Sequence, residues 1–558
     1  MKRRSLRTGL MLGALAAGLM LTLATEVEGQ PRPNPTPTFD AARTKYEADL
    51  RRPSLFIRTR SAERLAATQD PRAWDLLVAR YQRPPDQPHD HVKYTTATML
   101  GHFFRDAAHL QRWDRFLNSN SNDFDSWLWF HGQRVRASAG NHEGVMAQIR
   151  STRNDYLRAA SIEGLARAGR KEVLGMFREL LENPRQRGLS RVLLLEACAA
   201  ALSHLEHEMA TAEFKEAALL LLNHFNVRGT DQRTTLVIAR HLKKIYREPE
   251  AWSDAVDWRR VIDRGTANPA AGLGGHTRVQ FMNVPAIGER IVFVIDLSDS
   301  MMAPLNERER EELRGPTSGG QGPGAGPNDG LPWDQIRNRF DLAREALKQS
   351  LRGLPDSLFF AVVMFGTDVE TLRTTPALIQ ARPAAIRSVI SELDAIRPGP
   401  PGQGRPHGTL KGNTNMHGAI MRAFQLTNRA PIQGQEHINS SGFEHGADTI
   451  FLLSDGSPST DDFVAEDARD PEDMAGDPEM GTLGDQSATR LIYYGPYVTP
   501  GHEIHHLLAD IARMNLHRKV EIHCIGIGEA DQGLLNAISQ IGMGTTRFIG
   551  SGQGGPGR

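Results

Sequence analysis

Arg290-Ile291-Val292-Phe293-Val294-Ile295 runs without a break into Asp296-Leu297-Ser298-Asp299-Ser300. Five consecutive apolar residues, mostly β-branched, describe a strand buried on both faces, the environment of a parallel sheet covered by helices. A carboxylate and two hydroxyls then leave the strand at alternate positions. They leave at its C-terminal end, where open α/β sheets place their ligands. Asp-x-Ser-x-Ser offers hard oxygen donors with few formal charges, so a small divalent cation held there keeps an affinity for one more anion. By itself the pentapeptide is also what a plain strand-ending turn uses. The order of the remaining segments decides between the two.

Gly412-Asn413-Thr414-Asn415 precedes an amphipathic run from Met416 to Leu426. Ile450-Phe451-Leu452-Leu453 is a second buried-strand pattern, ended by Ser454-Asp455-Gly456-Ser457-Pro458. With these segments in place, the C-terminal half resembles the von Willebrand factor A domain with its metal-ion-dependent adhesion site. That family's pattern is Asp-x-Ser-x-Ser, a distant Thr, and an Asp-Gly after the fourth strand. Phe340 to Leu347 looks like its first helix, and Ser357 to Phe365 like its second conserved strand. Val520 to Gly528 looks like its late strand, and Leu534 to Ile541 like the closing helix. The resemblance covers roughly residues 279 to 552.

The resemblance implies a metal site at Asp296, Ser298, Ser300, Thr414 and Asp455. Ser298 and Ser300 would be direct ligands, Thr414 a ligand in the partner-bound form, and Asp296 and Asp455 anchors for coordinated waters. The implied ion is Mg²⁺, with Mn²⁺ able to substitute, and a protein partner would complete its shell with an acidic residue. Asp299 departs from the pattern, since exported relatives usually carry Gly there. Its carboxylate would raise cation affinity, favour a larger ion, or point to solvent. None of these groups is a nucleophile or general base, so no enzyme is expected.

His502-Glu503-Ile504-His505-His506 matches His-Glu-x-x-His, which would make His502 and His506 zinc ligands and Glu503 a general base. Against that reading, Pro500-Gly501 puts His502 in the first turn of a helix that is an ordinary surface helix in the resembled family. No third histidine follows at metzincin spacing. His407, His417 and His445 lie near Gly-rich loops and read as solvated loop residues.

At 558 residues the chain should hold two or three domains. Lys plus Arg and Asp plus Glu number 66 each, so nothing draws the whole chain to nucleic acid or to an anionic membrane. Lys2, Arg3, Arg4 and Arg7 precede an apolar stretch from Gly9 to Leu23 and small residues around Ala24 and Gly29. That is a secretory signal layout, too short for a comfortable span; an uncleaved anchor is the alternative. Export to the periplasm or the cell surface follows, with no further transmembrane span. Cys198 and Cys524 each sit in an apolar pattern and read as buried free thiols.

The N-terminal half is patterned as helix throughout. Ser61–Ala66 with Ala73–Leu77, and Ser161–Ala166 with Val173–Phe177, repeat one spacing; looser copies surround Leu100, Val135 and Leu193. Anchors about thirty to thirty-six residues apart suggest an all-α solenoid resembling HEAT-type repeats; a non-repetitive helical domain is the alternative. The expected architecture is therefore α plus α/β, a solenoid followed by a doubly wound, Rossmann-like domain with a mostly parallel central sheet. Its expected parts are a signal peptide over 1–29, a Pro-rich linker over 30–45, repeats over 46–265 and a linker over 266–276. The α/β domain takes 277–552, with insertions at 302–333, 397–411, 432–446 and 457–500, and a disordered tail takes 553–558. Thr277 to Pro285 should form an extra edge strand, and the first insertion should be largely disordered. The acidic insertion 457–500 would gate the metal, or be a solvated excursion. The implied function is metal-dependent protein binding, as an adhesin or scaffold with the solenoid as a second surface. An accessory subunit docking on an enzyme or secretion complex is the alternative, and a zinc peptidase a distant one.

Overall fold

The computed structural model describes residues 38–52, 54–83, 91–103, 110–183, 187–227, 230–248, 253–264, 279–314, 331–399, 410–463, 495–498 and 504–550. The signal-like segment, the linker 266–276, the tail 553–558, the acidic stretch 464–494, His407, His502 and Glu503 lie outside them.

The N-terminal half is helical: α1 (Phe39–Asp49), α2 (Leu55–Ala67), α3 (Pro71–Tyr81), α4 (His91–Phe103), α5 (Leu110–Ser119), α6 (Ser126–Ser138) and α7 (His142–Ser151). It continues through α8 (Asp155–Arg167), α9 (Phe177–Leu181), α10 (Leu189–His204), α11 (Ala212–Leu222), α12 (Gln232–Tyr246) and α13 (Ala255–Arg264). Local chemistry starts many of them. Ser54, Asp70, Asn154, Thr211 and Asp231 cap α2, α3, α8, α11 and α12 by accepting a main-chain N–H of the first turn. Even-numbered helices stack in order, α2 on α4, α4 on α6, and so on to α12, while α3, α5, α7, α9 and α11 pack outside them. The result is a two-layered array in which each helix pair buries its apolar stripe against the next.

The C-terminal half contains β1 (Val279–Phe281), β2 (Val284–Ala286), β3 (Arg290–Asp296), α14 (Glu307–Arg314), α15 (Arg339–Arg352), β4 (Phe359–Phe365), β5 (Val369–Thr371), β6 (Ile379–Gln380) and α16 (Pro383–Ala395). Then follow α17 (Met416–Gln425), α18 (Ser440–His445), β7 (Thr449–Ser454), α19 (His506–Arg518), β8 (Glu521–Ile527), α20 (Gln532–Ile541) and β9 (Met543–Ile549). The sheet order is β5-β4-β3-β7-β8-β9, with β6 also on β4. The β4-β3-β7-β8-β9 pairs are parallel, and β5 and β6 are antiparallel to β4. Ile291, Phe293 and Ile295 face a core shared with α15 and α16; Val292 and Val294 face one shared with α17, α19 and α20. Both faces of β3 are covered, as its sequence requires.

Two expectations are corrected here. Residues 279–286 form a separate two-stranded hairpin, β1 on β2, and not an edge strand of the main sheet. Met282 and Asn283 both adopt positive φ, 46° and 64°, the two-residue turn that folds strands back on each other. The first insertion is folded up to Arg314: α14 buries Leu313 and Glu309. Both cysteines are buried and free. No helix among the described residues is long and apolar enough to cross a membrane.

Helix α19, expected on the surface, lies instead between the two halves. It packs against α4, α8 and α10. His506 meets Glu63 of α2 at 2.7 Å. Beyond its end, Lys519 pairs with Glu163 of α8 at 2.7 Å, and Arg240 of α12 pairs with Glu521 at 3.0 Å. The inner layer of the helical array is thus occupied by the chain's own α/β domain, which removes that layer as a free second binding surface. Segment 432–446 adds to the junction, placing Phe443 in the helical core, and Tyr156 donates to the Ile438 carbonyl at 2.8 Å.

The Arg240–Glu521 pair gives a pH test of this junction. Burial alone would raise the Glu521 carboxyl above its ordinary 4.5, but Arg240 and His523 outweigh it and hold it down at about 2. A carboxylate depressed in the folded state contributes stability that is complete above its unfolded value and lost as pH falls through the folded one. The gap in urea midpoint between wild type and Glu521→Gln should therefore be constant at neutral pH and close between about 4.5 and about 2. A gap indifferent to pH would show that this charge contributes nothing.

Candidate functional site

The chain leaves β3 toward β4 on one side and later returns to β7 on the other. The gap between the C-terminal ends of β3 and β7 is therefore a topological switch point, where doubly wound sheets open a crevice. Asp296 is the last residue of β3 and is fully buried. Its Oδ1 accepts the Ser298 N–H at 2.7 Å, and its Oδ2 accepts the Ser454 hydroxyl at 2.6 Å. A short 3-10 turn over Asp299–Met302 then brings the Ser300 hydroxyl to 3.0 Å from that of Ser298. Ser300 in turn donates to Asp455 Oδ1 at 2.6 Å. Ser298, Ser300 and Asp455 thus form one hydrogen-bonded line of oxygens across the two strand ends, and Asp296 anchors its start through the Ser298 main-chain N–H.

Thr414 is held next to this line by its main chain. The Asp299 N–H donates to the Gly412 carbonyl at 3.1 Å, and the Asn415 N–H to that of Gly366 at 2.8 Å. The Thr414 N–H donates to Ser459 Oγ at 2.9 Å, and the Ser459 N–H returns to the Thr414 carbonyl at 3.0 Å. The Asp299 carboxylate lies over Gly412, whose lack of a Cβ leaves it that position; a larger residue there would push the carboxylate aside. The departure from the family pattern is accommodated by that glycine.

Burial pushes the Asp296 carboxyl up to about 7, against the hydroxyls of Ser454 and Ser298, and the charge of Asp455 adds to the rise. Asp455 is matched differently. Its Oδ2 accepts from Arg339, the first residue of α15, at 2.9 Å, and the same guanidinium meets Glu309 of α14 at 3.2 Å. Gly528, at φ +62°, makes room for it, since a Cβ there would lie 2.0 Å from Arg339 Nη2. Arg339, Glu309 and Ser454 were not singled out from sequence. Ser454 stood next to Asp455 and was legible as a hydroxyl ending β7. Nothing in the sequence pairs Arg339 with a residue more than a hundred positions away.

These residues fit a small, hard divalent cation. An octahedral site with metal–oxygen bonds of roughly 2.0–2.1 Å puts neighbouring oxygens about 3 Å apart, and all its donors are oxygens. The Ser298–Ser300 hydroxyl pair, at 3.0 Å, already has that edge. Arg339 occupies Asp455 Oδ2, while Oδ1 faces the serines.

The histidine motif has a different setting. Helix α19 begins at His506, which is buried and bonded to Glu63; His502 lies outside the described residues. His417, expected in solvent, is fully buried, and its Nε2 sits 2.9 Å from Asp510 Oδ2. As the second residue of α17, it faces α19 across the packed interior.

A von Willebrand factor type A domain model matches residues 335–473 and 498–548. That match takes in Thr414 and Asp455; Asp296, Ser298 and Ser300 precede it and stand on the geometry above. No curated protein matches the chain. Among solved structures, a von Willebrand factor type A protein from Catenulispora acidiphila is similar at 18% identity, over 48% of this chain and 40% of that one, with a TM-score of 0.25. The chain therefore spans under half the length of that protein. The family match over residues 335–473 and 498–548, laid on a mostly parallel sheet with helices on both faces, places these residues in a von Willebrand factor type A domain.

Proposed function

We propose that this chain is an exported, divalent-metal-dependent protein-binding protein whose cation site is built by Asp296, Ser298, Ser300, Thr414 and Asp455. The observation that carries the reading is the line of oxygens from Ser298 through Ser300 to Asp455 at the switch point, with Asp296 bonded to the Ser298 main-chain N–H at its start. Ser298 and Ser300 would hold Mg²⁺ or Mn²⁺ directly, Thr414 would join them when a partner arrives, and Asp296 and Asp455 would fix waters. The bound ion would supply a Lewis-acidic position for a partner carboxylate. Arg339 partly neutralises the site, so the loaded centre carries less negative charge and the incoming acidic group meets less repulsion. The role is binding and not catalysis. His506, already engaged by Glu63, supports that reading over a zinc peptidase. The basic and apolar N-terminal segment supports export, and the periplasm or cell surface is where such a partner would be met.

The test is capture from the cell-envelope fraction with immobilised full chain, run in Mg²⁺, in EDTA, and with Ser298→Ala. Partners retained in Mg²⁺ and released by EDTA, and absent from Ser298→Ala, are the expected result. Retention indifferent to both EDTA and the substitution would contradict the reading.

A further inference from the structure

The Thr414 arm of the site is wired to the helical domain. Tyr497 is fully buried, and its ring stacks on that of His417 with centroids 3.8 Å apart and planes 4° apart. His417 lies three residues after Thr414, in the first turn of α17. The Tyr497 hydroxyl is 2.8 Å from Nδ1 of His91, the first residue of α4. The Tyr497 N–H donates to Asp461 Oδ2 at 3.1 Å, and Asp461 lies in the loop that leaves Asp455 and carries Ser459. One tyrosine therefore touches the helix that Thr414 leads into and the loop that bonds Thr414, and its far end rests on the other domain. Asp510 and Arg513 of α19 close the arrangement: Asp510 holds His417, and Arg513 lies 3.8 Å over the ring of Tyr94, also on α4.

Two other ties between the halves lead elsewhere. Lys519–Glu163 and Arg240–Glu521 sit at the N-terminal end of β8, the opposite end of the sheet from the site. The two groups of contacts can thus be cut separately.

We propose that His91 of the helical domain is a positioning residue for the cation site, acting through Tyr497 on the loops that carry Thr414 and Ser459. The helical domain then sets metal affinity, and with it partner binding, besides covering an apolar face. The proposal rests on the cation-site reading given above. Groups that orient metal-site residues from behind alter metal affinity by roughly 10- to 100-fold when removed.

The experiment is calorimetric titration of Mg²⁺ into the full chain as wild type, Tyr497→Phe, His91→Phe and Glu163→Gln, with unfolding midpoints measured alongside. Tyr497→Phe, which removes one oxygen, and His91→Phe should each weaken binding about tenfold. Glu163→Gln, which cuts the junction at the far end, should leave the affinity unchanged even where its midpoint falls as much. Equal losses in all three, or none in the first two, would overturn the proposal. If the wild type itself binds no divalent ion, the cation reading fails. The coupling is then decided by amide hydrogen exchange over 411–418. Faster exchange in Tyr497→Phe but not in Glu163→Gln would sustain it; equal exchange would sink it.

Discussion

Replacing Asp296 by alanine should abolish the stabilisation that Mg²⁺ confers on this protein, while leaving the metal-free fold as stable as before or more so. The two halves of that expectation have one cause. Asp296 is a fully buried carboxyl whose ionisation is opposed by burial and by Asp455. Without a cation it is a group the fold tolerates more than uses. With one, its charge becomes the reason the ion stays. A ligand that binds only the folded state stabilises it by about 2.7 kcal/mol at a hundred times its dissociation constant. Wild type should show a shift of that order in unfolding free energy when Mg²⁺ is raised to that level, and Asp296→Ala none. The buried Ser298 N–H, which loses its acceptor at 2.7 Å, and the Ser454 hydroxyl, left with the Gly456 carbonyl at 3.4 Å, limit the gain of the metal-free variant. A metal-dependent shift that survives in Asp296→Ala would place the ion elsewhere.

Arg513→Ala should be among the most damaging single changes in the molecule, at roughly 3–5 kcal/mol of folding stability. Its guanidinium is fully buried, bonds Asp510 Oδ1 at 2.6 Å, and reaches Glu436 at 3.5 Å and His437 at 3.3 Å. Burial would raise the Asp510 carboxyl, yet Arg513, His417 and His91 hold it well below its ordinary range. Removing the cation leaves two buried carboxylates without it, and buried charge stripped of its partner is what makes such losses large. Adding Asp510→Asn to the variant should recover part of the loss, because one of the orphaned charges goes with it. Urea unfolding of the wild type, the single and the double variant checks both statements. A single variant within about 1 kcal/mol of wild type would mean that water reaches the cluster and screens it.

Much of the α/β domain was legible because its signals are local. A short, mostly β-branched apolar run reads as a covered strand, and the polar residues that end it fall at the sheet's ligand-binding end by topology. Met416 to Leu426 carries its helical period in its own letters, and it folds as α17. The hairpin β1–β2 was misread because Met282 and Asn283 do not advertise a tight turn as Asn-Gly would. The junction was unreadable for a different reason. His91 and Tyr497 are 406 positions apart, and nothing near either one names the other. His417 sat next to a Gly-rich loop and looked solvated, although one helical turn later its face of α17 is core. Arg339 and Glu309 are ordinary charged letters on ordinary helices, and only the fold brings them to Asp455.

The central claim is that a divalent cation sits between the serine hydroxyls after β3 and the carboxylate after β7. The most direct test is anomalous diffraction from crystals of the full chain grown with Mn²⁺. A single peak in contact with Ser298 Oγ and Ser300 Oγ, absent from crystals of Asp296→Ala, is the expected result. A peak beside His506, or none at the serines under saturating Mn²⁺, would contradict it.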